Sequence, residues 1–159
     1  MGRWRSSGDL WLLDPAVTAA DGKPAPVLEF IGGSYLAATP QLTYRRLLEA
    51  MAQRGWQVRA WSYVPGFDHQ QQANTAWRRF RAQRGQPLEG PPRMLRLGHS
   101  LGCKLHLLAP DAGRGCIGLV ALSFNNFSAE RSVPLLAEVG QQMGFRSEFS
   151  PSPAATLEQ

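Results

Sequence analysis

Apolar residues fall in short blocks along this chain, and the spacing inside each block separates strands from helices. Leu10 to Leu13 is an apolar run ended by Asp14-Pro15, and Val27 to Ile31 is another, stopped by Gly32-Gly33; both read as strands. Thr39-Pro40 then opens a helix, with Thr39 as N-cap and Pro40 in the first turn. Its apolar stripe is Tyr44, Leu47, Leu48 and Met51, and Gly55 stands where a C-terminal cap belongs. Trp56 to Trp61 alternates in part, Trp56, Val58 and Ala60 against Gln57 and Arg59, which predicts a strand with one wet face.

Asp68 caps the next predicted helix, whose stripe is Ala73, Ala76, Trp77 and Phe80. Arg93 to Leu97 reads as a strand. Gly98 to Gly102 is a sharp turn, and Leu101, Leu105 and Leu108 begin a further helix. Cys116 to Ser123 is apolar without alternation, as in a strand buried on both faces. Val133 to Met143 reads as a helix, and Ser152-Pro153 starts one more.

Strands alternating with helices predict an α/β fold: a doubly wound, mostly parallel sheet with helices on both faces and right-handed crossovers. The 159 residues are read as a single domain, 1–159, incomplete at its C-terminus because the last helix signal is cut short. An open edge on the Cys116 strand would favour association.

Composition narrows the class. Hydrophobic residues are 43% and charged residues 18%, too apolar for a disordered chain. No apolar run approaches the length of a membrane span, and the N-terminus lacks the apolar core of a secretory signal. Two cysteines, Cys103 and Cys116, make no disulfide framework. A reducing compartment follows, the cytoplasm or, in a plant, the plastid stroma. The net charge is +5, and ten arginines between Arg45 and Arg96 face only Glu49, Asp68 and Glu89. No nucleic-acid motif accompanies them, so they are read as solvated helix faces, with Arg78 and Arg79 exposed and no nucleic acid as partner.

The chemistry is concentrated at Gly98-His99-Ser100-Leu101-Gly102, a G-x-S-x-G turn that directly follows a predicted strand and directly opens a helix. In that context the pattern is a nucleophile elbow. Gly98, His99 and Gly102 form the turn, and its strain projects the Ser100 hydroxyl over the carboxyl edge of the sheet. Two backbone N–H groups would hold an oxyanion: that of Leu101, and that of Gly33 or Ser34 in the turn after the Val27 strand.

A base is harder to find. The three histidines are His69, His99 and His106. His106 lies along the helix that Ser100 opens, His99 points away from the turn, and His69 precedes Ser100 in the chain, against the Ser–acid–His order. Asp111 and Glu130 are candidate acids with no histidine to orient. Other patterns fail on context. Gly113 to Gly118 fits G-x-G-x-x-G but precedes a strand instead of following one. His99, Cys103 and His106 have helical spacing, but the turn keeps His99 off the helix face, so no metal is expected. Met1-Gly2 with Ser6 fits a loose myristoylation pattern that carries no weight alone. Asn125 and Asn126 are read as turn residues. No cofactor is called for.

Longer stretches carry a family resemblance: Phe30 to Tyr35, Ala38 to Arg45, Phe67 to His69, Gly98 to Leu105, Ser123 to Phe127 and Phe149 to Pro153. Over about Trp11 to Leu157 the chain resembles the domain-of-unknown-function 1350 family, α/β-hydrolase-like proteins of cyanobacteria and plastids. The resemblance implies an α/β-hydrolase-like fold with Ser100 as the elbow serine. It also implies that the acid and histidine lie on later strands that this chain lacks. The expected function is therefore a serine hydrolase of the esterase or thioesterase kind, acting on a small acyl or ester substrate, with these 159 residues inactive alone. The alternative is a non-catalytic binding protein built on the same fold.

Overall fold

The computed structural model describes residues 2–17, 23–83 and 93–124. Their strands form one six-stranded sheet: β1 (Arg5–Ser7), β2 (Leu10–Leu13), β3 (Val27–Ile31), β4 (Gln57–Trp61), β5 (Met94–His99) and β6 (Gly118–Leu122), in the order β1-β2-β4-β3-β5-β6. β3 to β6 run parallel, and β1 and β2 form an antiparallel hairpin on the β4 side. The α/β architecture read from the pattern is the one observed. β1 is an addition to it: Arg-Ser-Ser has no apolar period, and the hairpin rests on Gly8 at φ 61°.

The helices are α1 (Pro40–Thr43), α2 (Arg45–Gln53), α3 (His69–Ala82) and α4 (Leu101–Leu107). α2 packs Leu48 and Ala52 on one face of the sheet with Leu28, Phe30, Val58, Ala60 and Leu97. On the other face α3 and α4 pack Ala73, Ala76, Phe80, Leu101 and Leu105 against Ile31 and Trp61. The chain passes from β3 to β4 on one side, then crosses to β5 on the other side of β3. The strand order reverses between β3 and β5, so the loops leaving their carboxyl ends meet at a switch point. Asp68 caps α3 as expected, its Oδ1 accepting from Gln71 N–H at 2.8 Å.

Three expectations are corrected. The helix from Thr39 is two pieces broken at Tyr44, and Thr39 makes no side-chain cap; instead the Thr43 hydroxyl donates to the Leu36 carbonyl at 2.6 Å. β4 has no wet face: Arg59 is buried, because it lies in register with Glu29 of β3 beneath α3 and α4. β6 is not doubly buried. It is the last described strand of the sheet, and Val120 and Leu122 are exposed. Arg78 and Arg79 are exposed, in agreement with the sequence reading, and Arg79 pairs with Asp9 at 3.1 Å. The expected helices at 133–143 and from 152, Asn125, Asn126 and Glu130 lie outside the described residues. Among the described residues, no helix is long and apolar enough to cross a membrane.

Candidate active site

Ser100 stands between β5 and α4 at φ 52°, ψ −119°, a backbone region that residues with a Cβ rarely occupy. The surroundings hold it there. Ser100 N–H donates to the Leu122 carbonyl of β6 at 2.9 Å, and the Ser100 carbonyl accepts from Cys103 N–H at 3.0 Å. The two flanking glycines fit spaces that admit no side chain. A Cβ on Gly98 would lie 2.6 Å from the Cys103 backbone, and one on Gly102 would collide with the Ile31 carbonyl at the end of β3. Gly98 therefore lets the turn close on α4, and Gly102 lets α4 rest on β3.

The turn after β3 lies against Ser100. A Cβ on Gly33 would be 3.2 Å from Ser100 Cβ and 2.9 Å from His99 Nδ1. Tyr35, two residues on, is itself at φ 64°. Of the two proposed oxyanion donors in this turn, Gly33 is already committed: its N–H donates to the Tyr44 hydroxyl at 2.9 Å. Ser34 N–H has no partner among the described residues, and neither has Leu101 N–H at the start of α4. The sequence offered Gly33 and Ser34 as equals, and the hydrogen bond to Tyr44 separates them.

No histidine reaches the Ser100 hydroxyl, which makes no hydrogen bond among the described residues. His99 turns away, its Nδ1 2.9 Å from the Tyr44 hydroxyl. His106 is buried between α3, α4 and the sheet, stacked on Phe80 with ring centroids 6.2 Å apart. Burial and the nearby Arg96 charge push its imidazole down to about 3. His69, at the start of α3, is buried with Nε2 unpartnered; burial and the Lys104 charge lower it to about 4. His69 and His106 are neutral at pH 7, and His99 is engaged with Tyr44.

Asp111, a candidate acid, is spent on a buried ion pair. Arg96 of β5 holds it at 2.8 and 2.7 Å through two nitrogens, and Glu29 lies 3.6 Å from Arg96 on the other side. Burial alone would raise Asp111, but the Arg96 hydrogen bonds and charge outweigh it and hold the carboxyl at about 2. Cys103 lies buried behind the turn with its thiol toward the Leu122 carbonyl, which together with the placement of His99 and His106 separates the three residues of metal-like spacing. Among the described residues no group of three metal-ligating side chains occurs.

Among solved structures the chain is similar to a candidate thioesterase from Silicibacter sp. TM1040, at 22% identity and TM-score 0.58, covering 84% of this chain and 50% of that one. It is also similar to the alpha/beta hydrolase GrgF from Penicillium sp. sh18 (15%, TM-score 0.55, 94% and 55% covered) and to a lipase in its open form (16%, TM-score 0.58, 99% and 55%). At these identities the likeness is one of fold, and the chain spans about half the length of each. No curated protein matches it. The family model described as "Protein of unknown function (DUF1350)" matches residues 3–158. With the α/β-hydrolase fold established by its sheet order and its structural neighbours, the chain belongs to the DUF1350 family.

Proposed function

We propose that this fold carries an acyl-transfer site of the serine-hydrolase kind, with Ser100 as nucleophile and an ester or thioester as substrate. One observation carries the reading: Ser100 occupies a strained strand-to-helix position with the Gly32-Gly33 turn packed on its Cβ. Ser100 Oγ would attack the acyl carbon, and the oxyanion would lie between the N–H groups of Leu101 and Ser34. The helix N-terminus of α4 adds its dipole to that charge. Collapse of the intermediate gives an acyl-serine and releases an alcohol or thiol, and water then frees the acid. Tyr35, Leu36, Val64 and Phe67 are exposed on the loops that leave β3 and β4 at this edge, which favours an apolar acyl group. The protein is expected to work in a reducing compartment, without cofactor or metal.

The proton of Ser100 needs an acceptor, and none of the three histidines supplies one in this arrangement. We therefore propose that the base is supplied by a group other than these three histidines. The Ser100 hydroxyl, without a partner among the described residues, favours a second reading, a non-catalytic binding protein that uses the same edge. Turnover of short-chain aryl esters and acyl thioesters separates the two when measured for this chain, for a form extended at its C-terminus, and for Ser100→Ala in each. The hydrolase reading expects little turnover by the 159 residues and Ser100-dependent turnover by the extended form. An extended form that folds and does not turn over would favour the binding protein. Fast turnover by the short chain would overturn the assignment of the base.

A further inference from the structure

The Gly32–Gly33 peptide group is gripped at both ends. Its carbonyl accepts from the Tyr63 hydroxyl at 2.9 Å, and its N–H donates to the Tyr44 hydroxyl at 2.9 Å. The two tyrosines come from different parts of the fold. Tyr63 follows β4 and is stacked on Trp61 at 4.5 Å and 5°. Tyr44 stands at the break between α1 and α2, edge-on to Phe30 of β3 at 4.7 Å. Neither hydroxyl is a surface group that happens to reach the turn. Tyr63 is buried, and burial raises both phenols, so they remain protonated at any working pH.

The Tyr44 hydroxyl also lies 2.9 Å from His99 Nδ1, on the residue before Ser100. Its oxygen accepts from Gly33, and the same hydroxyl is within hydrogen-bond distance of Nδ1. One hydroxyl thus ties the turn after β3 to the turn that carries Ser100. The break in the predicted helix at Tyr44 acquires a reason here: a helix residue in that register must deliver its ring to two non-local partners.

Resting on the acyl-transfer reading of this site, we propose that Tyr44 and Tyr63 are its positioning residues: together they clamp the Gly32–Gly33 peptide plane against Ser100, withdraw Gly33 N–H from the site and leave Ser34 N–H as the second oxyanion donor. A peptide plane pinned at both ends cannot rotate, so the donor that follows it is held in place before charge develops, the condition under which such donors are most effective. The geometry also explains two adjacent glycines. A Cβ on Gly32 would lie 2.6 Å from the Tyr44 ring, and one on Gly33 would press on His99.

The test uses Tyr44→Phe and Tyr63→Phe, which keep both rings and remove one hydroxyl each. Amide hydrogen exchange and imidazole nitrogen shifts read the clamp without any chemistry at Ser100. Gly33 N–H should exchange at least about tenfold faster in Tyr44→Phe, and the His99 imidazole nitrogen shifts should move as Nδ1 loses its partner. A fluorophosphonate then reads the donor: Ser100 Oγ displaces fluoride at phosphorus, and fluoride and the serine proton leave together. Each variant should lower the maximal labelling rate about tenfold with the probe's half-saturating concentration unchanged, the mark of a contact made in the transition state. A general loss of structure would instead move both constants and the melting temperature. Unchanged Gly33 exchange in Tyr44→Phe overturns the clamp, and unchanged labelling with a released Gly33 overturns the donor assignment. Wild-type Ser100 that takes no phosphonyl group overturns the acyl-transfer reading and the donor assignment with it, while a Gly33 released by Tyr44→Phe would then show the clamp to be a device of the fold alone.

Discussion

The two faces of the sheet bury their side chains on different terms. Under α2 the inward residues are Leu28, Phe30, Val58, Ala60 and Leu97, an apolar layer closed by Leu48 and Ala52. Under α3 and α4 the same three strands present Arg59, Glu29 and Arg96 side by side, in register across β4, β3 and β5, and Asp111 closes the row from the loop after α4. Glu29 and Arg96 are 1% and 2% exposed, as buried as the leucines opposite, so a surface ion pair is no guide to their worth. An apolar face needs only volume, whereas a charged one needs each partner in place. The first tolerates changes of shape; the second fails when one charge is left alone.

The largest expected effect comes from breaking the charged row. Arg96→Ala removes the ion-pair partner of Asp111 and one of the charges facing Glu29, and should lower unfolding stability by about 3–5 kcal/mol in urea titration. A loss under about 1 kcal/mol would mean that the row is solvated and the contrast between the faces is false. On the apolar face Leu28→Ala should cost about 3 kcal/mol through transfer and cavity terms, with no added dependence on pH.

pH separates the faces next. His106 and His69 sit on the α3/α4 side with folded values near 3 and 4, below the ordinary 6.5. A lowered histidine contributes stability that is complete above 6.5 and is lost as the pH falls toward the folded value. Stability should therefore decline from about pH 6.5 to 4, by at most about 1.4 kcal/mol per unit for each histidine, while Asp111 stays ionised until about pH 2. His106→Leu should flatten that slope, and denaturation midpoints between pH 4 and 8 check it. The smallest effect is at the start of α3: Asp68→Ala removes the cap and should cost about 1 kcal/mol, read by urea titration at pH 7.

What the chain reveals about itself divides along the same line. Strands β2 to β6 and the α/β order were legible because apolar runs end at Gly and Pro, and the candidate active-site turn was legible because a G-x-S-x-G pattern needs only its local strand and helix. The buried row was not. Arg59 looks like a solvent-facing residue until β3 brings Glu29 beside it, and strand register is not written in either residue's neighbours. The break at Tyr44 and the loss of Gly33 as a donor have the same origin, since both depend on a hydroxyl that joins residues 11 and 55 positions apart.

Intact-mass analysis after exposure to a fluorophosphonate decides whether Ser100 is a nucleophile with its oxyanion donors in place and no base beside it. One adduct per chain is expected, formed slowly, mapped to Ser100 and absent from Ser100→Ala. An adduct on another residue, or none after prolonged exposure of the folded chain, would contradict it.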